Sequence, residues 1–171
     1  MSVQVDIDIQ VDDDQLPSDD EVHRWVAAAV AGHRDPAEVS LCIVDADTSA
    51  ELNGQYRGKH YPTNVLSFPA DLPAELELPL LGDLAVCAEV VAREAREQGK
   101  TLKAHWAHML VHGTLHLLGY DHIDDTDAER METLETEIIT GLGFAPPYAE
   151  AGTDTGAGNP YTTTTQESSV P

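Results

Sequence analysis

The sequence predicts one domain of mixed α+β layers, and three observations lead there. Period-two apolar stretches that read as strands interleave with capped stretches that read as helices. The 171 residues suffice for one domain with a proper core but not for two comfortable ones. The hydrophobic fraction, 42%, is that of a globular chain rather than a disordered one. No internal repeat is visible.

Val3, Val5, Ile7, Ile9 and Val11 alternate with polar residues, the period of a half-buried strand. SDDEVHRWVAAAVAG, residues 18 to 32, opens with a capping Ser18, carries acids in its first turn and stops at Gly32, so it reads as a helix. VSLCIVD (39 to 45) is a second strand and DTSAELNGQ (47 to 55) a short helix. YRGKHYPTN (56 to 64), punctuated by Gly, Pro and Asn, is a loop leading into the short strand VLSF, which Pro69 ends. DLPAELELP (71 to 79) is acidic and proline-flanked and is expected to be an exposed loop. GDLAVCA supplies a further strand, and EVVAREAREQ a helix stopping at Gly99.

TLKAHWAHMLVHGTLHLLG (101 to 119) is the longest helical candidate; its cap Thr101, apolar centre and closing Gly119 describe one buried helix. DDTDAERMETLETEIITGLG (124 to 143) follows, with Met131, Leu134, Ile138 and Leu142 on one stripe. From residue 146 the chain reads PPYAEAGTDTGAGNPYTTTTQESSVP, with almost nothing to bury. Residues 1–145 are therefore expected to form the domain and 146–171 a disordered tail.

The charge balance is extreme: 31 acidic against 9 basic residues, a formal net of −22. Phosphate backbones are bound through Lys and Arg, so composition alone points away from a nucleic-acid partner. The acids are spread over the whole chain rather than gathered in a tail. Such a shell suits a salt-rich cytoplasm, where screening shortens the reach of self-repulsion, and a halophilic source is the resulting expectation. The N-terminus, MSVQVDIDIQVDDD, lacks the basic-then-apolar pattern of a signal peptide. No run approaches the roughly 18 apolar residues of a membrane span. A soluble, cytoplasmic protein without membrane contact is expected. Cys42 and Cys87 sit in apolar runs without metal-ligand spacing and read as buried thiols of a reducing compartment.

Three of the eight histidines, His112, His116 and His122, crowd into the stretch HGTLHLLGYDH. His112 and His116 are four apart on a predicted helix, so they stand on one face, about 5–6 Å apart at Cβ. Gly119 ends that helix and lets the chain turn back, so that His122 can supply a third ligand. Three protein ligands leave a coordination position open, the pattern of a catalytic rather than a structural site, and no cysteine is near to close it. The frame H-x-x-x-H-x-x-G-x-x-H matches that of the metzincin proteases. Those enzymes place a general-base Glu after the first histidine, whereas this chain has Gly113. Glycine cannot take a proton, so the chemistry should differ.

HGTLHLLGYDH resembles the signature of the YbeY family of bacterial metal-dependent endoribonucleases. ELNGQYRGKHYPTNVLSFP, LLGDLAVC and AHWAHMLVHGTLHLLGYDH all resemble family segments, in the family's order. The resemblance covers roughly residues 3 to 143 and leaves out the acidic loop 71–79 and the tail. It implies a zincin-like fold: a small mixed sheet of about four strands packed with helices, with the metal site on a long central helix. It implies that His112, His116 and His122, the residues the spacing singles out, hold one metal ion. That ion would be zinc or another divalent transition metal. Arg57 and His112 are implied as catalytic. A guanidinium beside a metal can hold a phosphate bidentately and offset charge growing in the transition state.

The resemblance further implies a single-strand-specific endoribonuclease acting in 16S ribosomal RNA 3′-end maturation and ribosome quality control. Its implied partners are ribosomal RNA, the small ribosomal subunit and the GTPase Era, with no role for DNA. The alternatives are a non-catalytic ribosome-assembly factor whose metal stabilises the fold, and another metal hydrolase such as a protease, which Gly113 disfavours. Arg57, Lys59 and His60 lie within four positions in a chain poor in bases, so their loop is the best candidate for touching RNA. A metal there could activate a water near neutral pH or polarise a phosphoryl oxygen. The general base stays unassigned, and the attacker is either water or the RNA 2′-hydroxyl. Asp121 either orients a histidine or serves an ordinary turn, and Asp83 either orients a ligand or ends a loop. His105 and His108, on the face of His112, read as hydrogen-bonded core histidines, and Trp25 and Trp106 as core rather than base-stacking residues.

Overall fold

In the computed structural model, residues 3–34, 36–70, 78–120 and 125–147 are described. The elements run β1 (Val3–Ile9), α1 (Asp19–Val30), β2 (Ala37–Val44), α2 (Ala46–Arg57), β3 (Val65–Pro69), β4 (Leu80–Cys87), α3 (Ala88–Gln98), α4 (Leu102–Leu117) and α5 (Asp125–Gly141). The strands form one sheet in the order β1-β2-β4-β3, with β1, β2 and β4 parallel and β3 antiparallel to β4. The expected α+β domain with a four-stranded mixed sheet is therefore what folds. Parallel neighbours need a crossover, and α1 supplies the one between β1 and β2.

Alternation splits the sheet into two faces. Val39, Leu41, Ile43, Leu84 and Val86 are buried and join Trp25 and Val26 of α1 and Leu110 and Leu115 of α4 in the core. The opposite face carries Asp6, Asp8, Ser40, Cys42, Phe68 and Asp83, which line a groove with Leu52 of α2. Asp83 thus stands mid-strand, on the face away from Leu84, and does not end a loop. Both cysteines are free, Cys87 buried and Cys42 half-buried. Burial, followed by the nearby Asp8 carboxylate, pushes the Cys42 thiol up.

Helix α1 starts with a reciprocal capping box between Ser18 and Glu21. Helix α4 starts where Thr101 accepts the Ala104 amide at 3.1 Å. It is buried nearly all round, packing on α1, α3 and α5 as well as on β3 and β4, and is the central helix of the domain. Gly119, at φ +106°, takes the left-handed turn that its place after the helix demands. Trp25 and Trp106 are fully buried core residues, as their sequence context suggests.

Three expectations change in detail. Helix α2 runs through Arg57, so Tyr56 and Arg57 form its last turn rather than a loop. At 16 residues α4 is shorter by one than α5, at 17. The fully buried stripe of α5 is Met131, Glu135 and Ile139, while Leu134, Ile138 and Leu142 are only partly buried. Apolar spacing alone placed the stripe one position off, because it excluded a carboxylate that the fold buries. The segment 71–77, residues 121–124 with Asp121 and His122, and the tail from 148 lie outside the described residues. No described helix is long and apolar enough to cross a membrane.

Candidate metal centre

The central helix brings His112 and His116 together as the spacing demands. Their ring centroids lie 4.7 Å apart with planes at 79°. His112 is buried and His116, one turn on, is half-buried toward the helix end. His122, the third expected ligand, falls outside the described residues. Arg57 sits on another element, as the last residue of α2 before the left-handed cap Gly58. A cation there complements the carbonyl end of the helix. Burial lowers its guanidinium from the ordinary value, with the Tyr61 hydroxyl opposing.

The loop after Arg57 is fastened down. Asn53 donates to the Tyr61 carbonyl at 2.9 Å, and Ser49 both donates to the Thr63 carbonyl and accepts its amide. His60 folds over Gly54 so closely that a Cβ there would meet its Nδ1 at 2.3 Å. Around this loop Tyr56 is 63% exposed and Tyr61 45% exposed, although Tyr56 rests edge-on against Phe68.

Gly113, at the position of the protease base, faces the sheet. Its carbonyl accepts the Ser67 hydroxyl at 3.2 Å. A Cβ would lie 2.9 Å from Leu84 and 3.1 Å from Val65. A side chain here would have to push Leu84 and Val65 aside, so helix–sheet packing, like the missing proton acceptor, disfavours the protease arrangement.

The rest of the histidine face is a buried polar network. His105 meets Glu94 at 2.9 Å, and Glu94 in turn accepts both hydrogen bonds of the Asn64 amide group. His108 Nε2 lies 3.3 Å from Glu135 Oε1, and His112 Nδ1 makes a short hydrogen bond to Glu135 Oε2. Burial pushes His108 down to about 4, against the pull of Glu135, and lowers His105 likewise. Burial alone would raise Glu135, but its electrostatic interaction with the His112 ring and the hydrogen bonds from His108 and His112 outweigh it and hold the carboxyl well below its usual range. The reading of His105 and His108 as hydrogen-bonded core residues holds.

Glu135 is the residue that sequence reasoning missed. A signal was present: buried histidines need acceptors, and carboxylates on the helices flanking α4 are the natural source.

With Nδ1 of His112 engaged by a carboxylate, an ion would be met by Nε2. That is the usual arrangement of a metal-ligating histidine. The donor set therefore fits a metal. His108, His112 and Glu135 also form a cluster whose donor atoms lie within 4.8 Å of one another.

A family model for the endoribonuclease YbeY matches residues 6–143. The endoribonuclease YbeY of Cellvibrio japonicus is 58% identical over 149 residues, 86% of this chain and 84% of that protein. The solution structure of TM1509 from Thermotoga maritima matches with a TM-score of 0.57 at 27% identity, covering 80% of this chain and 88% of that one. The family match runs from within β1 past the end of α5 and takes in Arg57 and all three signature histidines. The chain belongs to the YbeY endoribonuclease family.

Proposed function

We propose that this protein is a metal-dependent endoribonuclease that cuts single-stranded ribosomal RNA. On this reading His112, His116 and His122 hold the metal, and Arg57 holds the scissile phosphate. The observation that carries it is the histidine pair on α4, with His112 backed by a buried carboxylate, in a chain of an endoribonuclease family. Bound there, zinc or a similar divalent ion would supply Lewis-acid charge stabilisation to a phosphodiester.

The protein's own residues do the rest. Glu135 holds the His112 ring, and the planar guanidinium of Arg57 offers two parallel donors to a phosphate. Lys59 lies in the same tied-down loop beside His60 and adds positive charge in a chain of net −22. The exposed rings of Tyr56 and Tyr61 flank these bases and suit stacking on unpaired nucleobases, which favours a single-stranded substrate.

The reading extends to 16S ribosomal RNA 3′-end maturation and ribosome quality control in the cytoplasm, with the small subunit and the GTPase Era as partners. Free Cys42 and Cys87 suit that reducing compartment. The acidic shell is read as salt adaptation, with stability rising from low to molar KCl; indifference to salt contradicts it.

The test is cleavage of a labelled single-stranded RNA by the purified chain beside Arg57→Ala. Loss of cleavage with fold and metal content intact supports the assignment. Unchanged cleavage removes Arg57 from it, and no cleavage by a metal-loaded wild type moves the non-catalytic assembly factor ahead.

A further inference from the structure

We propose that Glu135 is a positioning residue rather than a metal ligand. It clamps His112 in one tautomer through the hydrogen-bonded chain Lys100–His108–Glu135–His112. This rests on the assignment of His112 as a ligand made above.

The hydrogen bonds along the chain assign a role to each facing atom. The Lys100 ammonium can only donate, and it lies 3.5 Å from His108 Nδ1, so that nitrogen accepts. The neutral ring of His108 then carries its proton on Nε2 and donates it to Glu135 Oε1. An ionised carboxylate only accepts, so the second oxygen takes its hydrogen bond from His112 Nδ1–H. Nε2 of His112 is then the nitrogen that would meet a metal. His108 and His112, one turn apart, are thus held in opposite tautomers.

Geometry argues against the cluster of His108, His112 and Glu135 holding the ion itself. Each carboxylate oxygen already faces an imidazole nitrogen, and all three side chains are buried between α4 and α5. An ion seated there would have to replace two hydrogen bonds and would place a cation close to the Lys100–His108 contact. The clamp has a further advantage, because Glu135 belongs to α5. It therefore fixes the ring from outside the helix that carries the ligands.

The experiment uses the full chain without RNA, so its outcome is independent of whether the protein cleaves. Nitrogen-15 spectra of the metal-free wild type at alkaline pH should show His112 protonated at Nδ1 and His108 at Nε2. Zinc competition against a chromophoric chelator should then show Glu135→Gln binding one ion about 10–100-fold more weakly than wild type. His112 protonated at Nε2, or wild-type affinity in Glu135→Gln, overturns the proposal. So does loss of the ion in both Glu135→Gln and His108→Ala while His116→Ala keeps it, which would make the buried cluster the ligand set. Should Glu135→Gln fail to fold, the wild-type tautomers alone decide.

Discussion

Two carboxylates on neighbouring helices reach the histidine face of the central helix, and they do different work. Glu94 on α3 takes His105 on one side and the Asn64 amide on the other. Glu135 on α5 takes His108 on one side and His112 on the other. The chemistry is the same: a buried carboxylate stabilised by donors that would otherwise be left unsatisfied. Only the far partner differs. Asn64 leads into β3, so Glu94 ties α3 to a strand, whereas His112 stands beside His116, so Glu135 ties α5 to the candidate metal centre. A buried carboxylate–histidine pair is thus not in itself a mark of function; what its second oxygen holds decides.

The widest separation between the two should come from Glu135→Ala. Removing that carboxylate strands two buried imidazoles and should cost about 3–5 kcal/mol in urea unfolding. Glu94→Gln, which keeps an acceptor for His105, should cost about 1–2 kcal/mol and leave RNA cleavage per folded molecule unchanged. Equal losses of stability and of cleavage in the two variants would erase the distinction.

Acid sharpens the contrast next. His108 is held at about 4 against an ordinary 6.5, so between those values the unfolded chain binds a proton that the folded chain refuses. Stability should therefore be complete above pH 6.5 and fall as pH drops toward 4, by up to about 3 kcal/mol from this residue. His105 and Glu135 shift in directions of the same sign. Unfolding curves at pH 7 and pH 5 should converge for His108→Gln relative to wild type; a wild-type slope in that variant would contradict the assignment.

Smaller effects are expected away from the carboxylates. Gly113→Ala must push Leu84 and Val65 apart and should cost about 1–3 kcal/mol, read from the denaturation midpoint. Stability at the wild-type level would mean that the helix–sheet contact is looser than described. Tyr61→Ala, at an exposed ring, should leave stability unchanged and weaken single-stranded RNA binding by about 1 kcal/mol, measured by fluorescence anisotropy.

The sequence made the local elements legible because their signals are local: Ser18 and Thr101 as caps, Gly99 and Gly119 as stops, period-two alternation in β1 and β2. The pair His112 and His116 was legible for the same reason, since four residues on a helix guarantee proximity. The order β1-β2-β4-β3 was not, because pairing between distant strands has no local signature. Glu135 was hidden by its own chemistry. A glutamate between Leu134 and Thr136 reads as solvent-facing until His108 and His112, 27 and 23 positions earlier, are seen to face it. The tightness around Gly113 was equally invisible, although its lack of a proton acceptor was plain from the residue type.

The most direct test of the metallonuclease account is cleavage of a labelled single-stranded RNA in high KCl, with and without a chelator, beside His116→Ala. The account predicts cleavage by the wild type that is lost with the chelator, restored by zinc, and absent in His116→Ala. Cleavage that survives both the chelator and the substitution would contradict it.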